Sequence, residues 1–301
     1  MSEENFQNDR PLVRIRRISS DPPVFFAREL SSTNDELKHL AEVNGVLPWT
    51  ALVCASQTKG RGRPGNRWFS RRGDLMMSQW IENGAFLLPE HLPISLYVAS
   101  ACLSVLDTLG YRSVFWKYPN DIYASGNDFN SAGKIGGILV EPAIRKDSDR
   151  GLPMPGWVCG IGLNLLPRQT DSPEGALKRD DFGAHGQNVL GLSDLPKERV
   201  SGADRGGTLS TGPLKLAAAF AGKLREVFLE CSEDMVRSHL EGRLLWKNRW
   251  IVYSLSGRHG VGFVSGLGPG GELRLTDSDG QICFLGAHVR NVRLLTEAGS
   301  L

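Results

Sequence analysis

The chain has 301 residues and a mass of 33.0 kDa, enough for one large domain or a domain with an appendage around a sizeable core. Its 35 Lys and Arg residues nearly balance 33 Asp and Glu residues, giving a net charge of +2 and no sign of a whole-domain nucleic-acid binder. The five cysteines are odd in number and form no C-x-x-C pair, which disfavours a disulfide framework or a zinc knuckle and favours a reducing compartment.

The first residues are polar and acidic. Glu3, Glu4 and Asp9 precede any apolar stretch, so we expect neither a signal peptide nor a transit peptide, and the longest apolar runs are too short to cross a membrane. We therefore predict a cytoplasmic protein with no membrane partner. Residues 1–23 are predicted to be a polar tail, whose four arginines between positions 10 and 17 are expected to be solvated.

Hydrophobic periodicity predicts strands and helices over residues 24–247. Apolar and β-branched runs indicate strands, and apolar residues spaced three or four apart indicate helices. Ser31 or Ser32 caps the first helix, Gly45 ends it, and Pro93 opens the second helix. The predicted strands are 24–27, 51–57, 75–82, 114–117, 134–144 and 156–166, and the predicted helices are 31–45, 93–110, 214–229 and 233–246.

Two stretches do not follow this hydrophobic periodicity. Residues 166–213 are rich in Gly, Asp, Pro, Ser and Lys, which predicts a surface insertion. After Arg249, glycines separate short β runs, a spacing that predicts a small barrel of about five strands as a second domain over residues 248–301.

The loop at residues 59–68, KGRGRPGNRW, follows a predicted buried strand and is here called the glycine loop. Its glycines let the backbone approach a ligand closely, and Arg61, Arg63 and Arg67 are permanently charged forks suited to carboxylate and phosphate. The three glycines also fit G-x-G-x-x-G. No helical pattern follows them, which disfavours a dinucleotide fingerprint.

Four further motifs place polar residues at the ends of predicted elements. In WKYPNDIY, Lys117 ends a strand and Asp121 follows a Pro-Asn turn, where a phosphate and its Mg²⁺ could be held. In GKIGGILVE, Lys134 precedes two glycines and can point its ammonium into a site. GIGLN at residues 160–164 ends a strand. STN at residues 32–34 starts a helix, where an N-cap alone explains the serine or threonine.

Together the five motifs resemble one family, the biotin protein ligases, which join biotin to a carrier lysine. STN, the glutamine and loop of ASQTKGRGRPGNRW, KYPND, GKIGGILVE and GIGLN follow the family order, and the resemblance covers residues 29–296. Tyr118 departs from the usual tryptophan, and Asn66 from a frequent arginine, which removes one phosphate contact. The winged helix of the bifunctional repressor members is not recognised, so a monofunctional type without a DNA partner is expected.

The resemblance implies an α+β fold, with a mixed β-sheet flanked by helices as in class II synthetase-like biotin/lipoate ligase catalytic domains, and a small C-terminal SH3-like β-barrel. It implies ATP and Mg²⁺ as cofactors and biotin as substrate. Biotin's carboxylate attacks the α-phosphate of ATP, and a lysine of a biotin carboxyl carrier protein domain, in acetyl-CoA carboxylase or a related carboxylase, then attacks the biotinyl-adenylate. Homodimer formation stays open.

The same resemblance assigns roles to residues. Catalytic roles fall on Arg63, Lys117, Asp121 and Lys134, with Asp121 also the metal ligand and a candidate acceptor for the proton of the carrier lysine. The residues expected to bind biotin are Ser32, Thr33, Asn34, Gln57, Arg61, Gly62, Arg63, Lys134, Gly160 and Gly162. The residues expected to bind the adenylate or ATP are Gly60, Arg61, Gly65, Trp68, Asn120 and Asn164.

Two other functions stay open. A lipoate or octanoate ligase shares the fold and the adenylation chemistry, although its arginine–glycine–glycine and histidine pattern is not recognised here. A non-catalytic module that binds biotin or the carrier is disfavoured, because such a binder does not need the phosphate-handling cations Arg63 and Lys134 beside Asp121.

Overall fold

The structure is a computed structural model that describes residues 15–43, 45–83, 91–125, 129–146, 153–166, 189–197 and 212–295. The helices are α1 (Thr33–Val43), α2 (Ile94–Thr108), α3 (Pro213–Glu230) and α4 (Glu233–Gly242). The strands are β1 (Ile15–Ser20), β2 (Pro23–Ala27), β3 (Ala51–Cys54), β4 (Leu75–Glu82), β5 (Val114–Lys117), β6 (Asp121–Ala124), β7 (Gly133–Lys146), β8 (Pro153–Leu163), β9 (Trp250–Leu255), β10 (Arg258–Leu267), β11 (Leu273–Thr276), β12 (Ile282–Leu285) and β13 (Arg290–Leu294).

The strands form two sheets. Eight of them make a mixed sheet in the order β1-β2-β3-β4-β8-β7-β6-β5, in which β2 and β3 run parallel and the other neighbours run antiparallel. The other five make an antiparallel sheet in the order β12-β11-β10-β9-β13. The predicted α+β class, a mixed sheet flanked by helices with a small C-terminal β unit, is confirmed. None of the helices in the described part of the chain is long and apolar enough to span a membrane.

Helices cover both faces of the eight-stranded sheet because its central strands are apolar on both sides. On β4, Leu75 and Met77 face a core shared with α2, α3 and α4, whereas Met76 and Trp80 face a smaller core under α1. Each of these four side chains is at most 1% exposed. Successive side chains of a strand point to opposite faces, so one continuous apolar run can serve two cores.

The five-stranded sheet shares its core with the larger unit. Val264, Leu275 and Val292 are buried in the same cluster as the side chains of α2 and α3. The backbone N–H of Trp116 donates to the carbonyl of Arg243 at 2.8 Å, which ties β5 to the chain that enters the second sheet. The predicted barrel strands correspond to β9–β13, while a domain boundary at residue 248 stays a prediction.

The prediction of a polar tail is wrong for residues 15–20, which form β1 and pair antiparallel with β2. An edge strand needs little apolar sequence, and of these residues only Ile15 is buried. The Arg16 guanidinium lies over the ring of Phe26 at 5.3 Å from its centroid, so the charged side chain covers apolar surface. Residues 1–14 of the predicted tail lie outside the described residues.

Part of the predicted surface insertion packs against the sheet. Leu192 is 2% exposed within the main core, and its N–H donates to the carbonyl of Asn164 at 2.7 Å. Val189 bridges in parallel with Lys134 at the start of β7. Residues 189–197 stay at the surface, with residues 193, 194, 196 and 197 exposed, while Leu192 anchors them to the core. Residues 167–188 and 198–211 lie outside the described part.

Two element assignments also differ from the sequence pattern. The pattern predicts a turn-rich loop after residue 117, but β6 forms there and pairs with both β5 and β7. The pattern also extends the last helix to residue 246, whereas α4 ends at Gly242. Trp246 and Asn248 have left-handed backbones, with φ of 62° and 60°, which an α-helix does not tolerate.

Candidate active site

A cleft of about 830 Å³ opens where the predicted motifs converge. The start of α1, the glycine loop, the β5–β6 turn, strands β7 and β8, and the start of β13 bound it. Because β7 and β8 pair antiparallel along 136–146, the motifs at 133–141 and 160–164 lie side by side. All predicted site residues except Gly60 line the cleft: Ser32, Thr33, Asn34, Gln57, Arg61, Gly62, Arg63, Gly65, Trp68, Lys117, Asn120, Asp121, Lys134, Gly160, Gly162 and Asn164.

Neutral polar side chains form one region, here called the polar pocket: Thr33, Asn34 and Gln57, which line the cleft, and Ser78, buried behind them. The N–H of Thr33 donates to Gln57 Oε1 at 2.8 Å. Ser78 Oγ lies 2.7 Å from Thr33 Oγ1 and 2.5 Å from Asn34 Oδ1. The two residues on α1 are 4% exposed and Ser78 is fully buried, so their hydrogen bonds form away from bulk water and hold each side chain in place.

Asn34 links this pocket to β7. Its Nδ2 donates to Glu141 Oε2 at 2.7 Å and to the carbonyl of Leu139 at 3.3 Å, which leaves Oδ1 facing Ser78. Gly160 on β8 makes room for this amide, since a Cβ there would collide with Asn34 Oδ1. The glycine of the GIGLN motif is thus required by the close approach of a side chain from α1.

Arg61 does not reach into the polar pocket but pairs with carboxylates beside it. Its guanidinium donates to both oxygens of Glu141, at 3.0 and 2.7 Å, and to Asp35 Oδ1 at 2.6 Å. Lys38 Nζ also lies 3.0 Å from Glu141 Oε1. Burial raises the pKa of Glu141, but hydrogen bonds from Asn34, Arg61 and Lys38 outweigh burial and lower this pKa below its ordinary value.

Arg63 connects three parts of the molecule. Its guanidinium donates to the carbonyls of Ala287 and Val289, at 2.9 and 3.2 Å, and lies 3.4 Å from Asn120 Oδ1. The glycine loop is thereby joined to the β5–β6 turn and to the turn before β13. Burial, with the charge of Arg290 nearby, lowers the pKa of Arg63. A guanidinium still stays protonated at all ordinary pH values, so Arg63 is a fixed cation in the cleft.

Lys134 and Asp121 form an ion pair beside the Trp68 ring. Lys134 Nζ lies 2.6 Å from Asp121 Oδ1 and 5.6 Å from the ring centroid of Trp68. The indole lies against Gly137 and Gly162, where a Cβ on Gly162 would approach its atoms to 2.6 Å. Trp68 Nε1 is buried on the side of the ring that faces Gly162 and has no hydrogen-bond partner among the described residues.

Lys117 is the most enclosed cation of the cleft. It is 6% exposed, its Nζ donates to the Tyr123 hydroxyl at 3.2 Å, and it lies 4.7 and 5.1 Å from the rings of Tyr123 and Trp246. Burial lowers the pKa of Lys117 to about 8, Asp121 opposes this shift, and Lys134 adds to it. The ammonium is therefore held at a cost that a bound anion would reduce.

The remaining predicted residues are held by backbone contacts. Asn120 Nδ2 donates to the carbonyl of Ile138 at 2.8 Å, which fixes the β5–β6 turn on β7. Asn164 Nδ2 donates to the carbonyl of Leu190 at 3.2 Å. Gly60 accepts the N–H of Trp68 at 3.1 Å and so closes the base of the glycine loop behind the cleft wall.

The charge of the cleft is strongly positive. Asp121 is the one acidic side chain among the residues lining the described cleft, against six cations: Arg61, Arg63, Arg67, Lys117, Lys134 and Arg290. Such a surface favours a polyanion. The described residues contain no cluster of three His, Cys, Asp or Glu side chains. A lone carboxylate fits Mg²⁺, which protein sites commonly hold through one or two carboxylates together with the phosphates of a substrate.

Ser78 and Arg290 are among the residues of this region to which the sequence analysis assigns no role. Ser78 sits in LMMSQWIE, which was interpreted only as a buried strand, although one small hydroxyl in an otherwise apolar run was a usable signal. Arg290 begins β13, within the last predicted β run, and carries no recognisable motif. Its position in the cleft depends on how the two sheets pack, which the local sequence does not encode.

Comparison with known proteins shows what this fold and site are similar to. Residues 26–154 match the sequence model of the Biotin/lipoate A/B protein ligase family. The chain is similar to a solved biotin protein ligase from Aquifex aeolicus in complex with biotin and ATP, with a TM-score of 0.63, 23% identity, and coverage of 90% of this chain and 99% of that one. At this identity the likeness shows the fold. Residues 26–154 therefore carry the sequence pattern of the Biotin/lipoate A/B protein ligase family.

Within that class the curated relatives are biotin protein ligases. Biotin--protein ligase 2 of Arabidopsis thaliana is 35% identical over 183 residues, 56% of this chain and 52% of its own length. The bifunctional ligase/repressor BirA of Bacillus subtilis is 29% identical over 145 residues, 48% of this chain and 41% of its own length. The chain spans about half or less of these two relatives. The resemblance to biotin protein ligases is confirmed.

Proposed function

We propose that the protein is an ATP-dependent biotin–protein ligase that forms biotinyl-5'-AMP and transfers biotin to a carrier lysine. The observation that carries the proposal is one cleft with two kinds of recognition along β7. The polar pocket contacts β7 near Leu139 and Glu141, whereas Asp121 pairs in register with Gly137 and lies against Lys134. A neutral polar head and a phosphate chain would thus occupy adjacent regions.

The polar pocket suits the ureido ring of biotin. This ring is neutral and carries two N–H donors and a carbonyl acceptor, all of which need partners when buried. Thr33 and Gln57 supply a hydroxyl and an amide oxygen 3.3 Å apart on the wall of the cleft, a spacing that suits several contacts to one small ring, and Ser78 lies 2.7 Å from the Thr33 hydroxyl. We assign Ser32, Asn34, Gly160 and Gly162 to the same subsite.

The cations suit the first half-reaction. A carboxylate oxygen of biotin attacks the α-phosphorus of ATP, and the bond to the pyrophosphate oxygen breaks. Negative charge grows on the phosphate and on the leaving group, and fixed cations placed there lower the barrier. Lys134, Lys117 and Arg63 take this role in the proposal, and Trp68 covers the adenylate. Mg²⁺, held by Asp121 and the phosphates, would neutralise pyrophosphate charge.

In the second half-reaction the amine of a carrier lysine attacks the carbonyl carbon of the mixed anhydride. An amide forms and AMP leaves with the electrons of the broken bond. An ordinary lysine amine has a pKa near 10.4, so it must lose a proton before or during attack. Asp121 is assigned to orient this amine or accept its proton. The carrier is proposed to be a biotin carboxyl carrier protein domain.

Pyrophosphate exchange into ATP tests the adenylation step. Purified protein with Mg²⁺ is compared with biotin, lipoate, octanoate or no acid. Exchange with biotin alone is the expected result. Exchange only with lipoate or octanoate would indicate a lipoate or octanoate ligase instead, and the matched family includes lipoate ligases. No exchange with any acid, alongside measurable biotin binding, would favour a non-catalytic module.

A further inference from the structure

Glu141 has a function in this site that its place at the end of a motif does not reveal. It accepts hydrogen bonds from three side chains, those of Asn34, Arg61 and Lys38, and its own side chain is 19% exposed. Two of these donors are long, partly exposed cations. The third is a buried amide that extends the polar pocket. Glu141 is thus the charged end of a hydrogen-bond chain that runs inward.

The chain has a direction because its members differ in what they can donate. The carboxylate only accepts, so the NH₂ group of Asn34 must face Glu141, at 2.7 Å. Asn34 Oδ1 then faces inward and accepts the hydroxyl proton of Ser78, at 2.5 Å. A serine hydroxyl has one proton, so once it is given to Asn34, Ser78 Oγ has none left for Thr33 Oγ1, 2.7 Å away, and the contact between the two hydroxyls must use the proton of Thr33. The lone pairs of Thr33 Oγ1, which lines the cleft, are then left to accept from a bound molecule.

We propose that Glu141 is a positioning residue that orients Asn34 and, through the buried Ser78, makes Thr33 Oγ1 a hydrogen-bond acceptor for an N–H group of the acid's polar head. The inference rests on the proposed function, because it specifies how the polar pocket distinguishes a ureido ring from an apolar or carbonyl-only head. The lowered pKa of Glu141 agrees with a carboxylate that stays ionised in this setting. Without the carboxylate, the Asn34 amide loses the hydrogen bond that fixes which of its two ends faces Ser78.

Asp35 provides a matched control. Both carboxylates accept hydrogen bonds from Arg61. Of the two, only Glu141 also accepts one from Asn34 among the described residues. Glu141→Ala and Asp35→Ala are therefore compared by calorimetric titration with biotin and, separately, with ATP. We expect Glu141→Ala to weaken biotin binding about tenfold, as for a buried polar group left without its partner, and to change ATP binding less than about twofold. Asp35→Ala is expected to change both by less than about twofold.

Two further variants separate positioning from support of the fold. Glu141→Gln keeps an acceptor oxygen for Asn34 and is expected to recover most of the biotin affinity. In an Asn34→Ala background, Glu141→Ala is expected to have little further effect, because both changes interrupt the same chain. Equal effects of Glu141→Ala with and without Asn34, or equal losses of biotin and ATP binding, would overturn the inference. Wild-type protein that binds no biotin would overturn the proposed function and this inference with it.

Discussion

At the scale of single residues, the site combines groups whose charge is fixed with one whose charge is not. Arg63 keeps its charge at any ordinary pH, whereas burial brings the pKa of Lys117 to about 8. Lys134 differs from both because its charge is balanced by Asp121 at 2.6 Å. These differences predict different consequences when each cation is replaced.

Replacing Lys134 by alanine is expected to slow adenylate formation by on the order of a hundredfold, comparable with the loss of one preorganised donor to a developing charge. Pyrophosphate exchange measures this rate directly. Lys223→Ala is the control, because Lys223 lies on α3 and pairs with Glu226. Exchange at the wild-type rate in Lys134→Ala would contradict the assigned role, and the same test applies to Arg63→Ala.

The lowered pKa of Lys117 predicts how the free energy of unfolding depends on pH. Its pKa is lowered on folding from 10.5 to about 8, so between these values the unfolded chain binds more protons and stability rises with pH. Lys117→Met removes a buried charge and is expected to gain up to about 3 kcal/mol in free energy of unfolding at pH 7, and under about 1 kcal/mol at pH 10. Urea denaturation of both proteins at the two pH values measures this, and an equal difference at both would refute it.

At the scale of elements, long periodic segments could be predicted and edge features could not. The pattern placed β4 and β5 at their observed bounds because both are short runs of buried residues between turn residues. β1 was missed because an edge strand with one neighbour can be mostly polar. The anchoring of residues 189–197 was missed because it depends on Leu192 reaching a core built by distant elements.

The candidate site follows the same division. The motifs predicted which residues gather in the cleft, because each lies at the end of an element and its pattern is local. Their partners were less predictable. Arg61 pairs with Glu141 and Asp35, and Asn164 bonds the backbone of residue 190, contacts that only the tertiary arrangement brings together. The biochemical roles assigned to these residues stay predictions.

The contact between Gly162 on β8 and Trp68 of the glycine loop can be tested by adding one methyl group. In Gly162→Ala the added Cβ would meet the Trp68 indole at 2.6 to 2.8 Å, closer than real contacts allow, so the ring must leave its place. We expect pyrophosphate exchange to fall at least about tenfold while the melting temperature changes little, because Trp68 lies on a loop. Gly222→Ala is the control, since a Cβ there has open space. Undiminished exchange in Gly162→Ala would show that the ring's position is immaterial.

At the scale of the whole molecule, the cleft belongs to both sheets. Val289, Arg290 and Asn291 line it from the smaller sheet, and Arg63 donates to carbonyls there from the larger unit. The two sheets also share one core. The smaller sheet is therefore a wall of the site, and its packing determines how the cations of the cleft are spaced.

Thiol reactivity reports on this packing across the molecule. Cys54, Cys102 and Cys159 are buried, whereas Cys231 is partly exposed and Cys283 exposed. Burial raises the pKa of Cys54 to about 12 and raises the pKa of the other two buried thiols as well, so these thiolates are scarce. Titration with an aromatic disulfide at pH 8 is expected to modify two thiols in the native protein and all five in denaturant. Rapid modification of a third thiol under native conditions would mean that a core opens.

The chain leaves β8 at the GIGLN motif and is fastened again only a few ångströms away. Asn164 meets the backbone of Leu190 and Leu192 there, and Ser193 N–H donates to the carbonyl of Leu165 at 3.1 Å. Residues 164–165 and 190–193 are thus joined to each other directly by hydrogen bonds. Because closing a longer loop changes the free energy only slowly with its length, this position can accept segments of very different size. It is a natural entry point for grafting a reporter domain beside the cleft while leaving both walls intact.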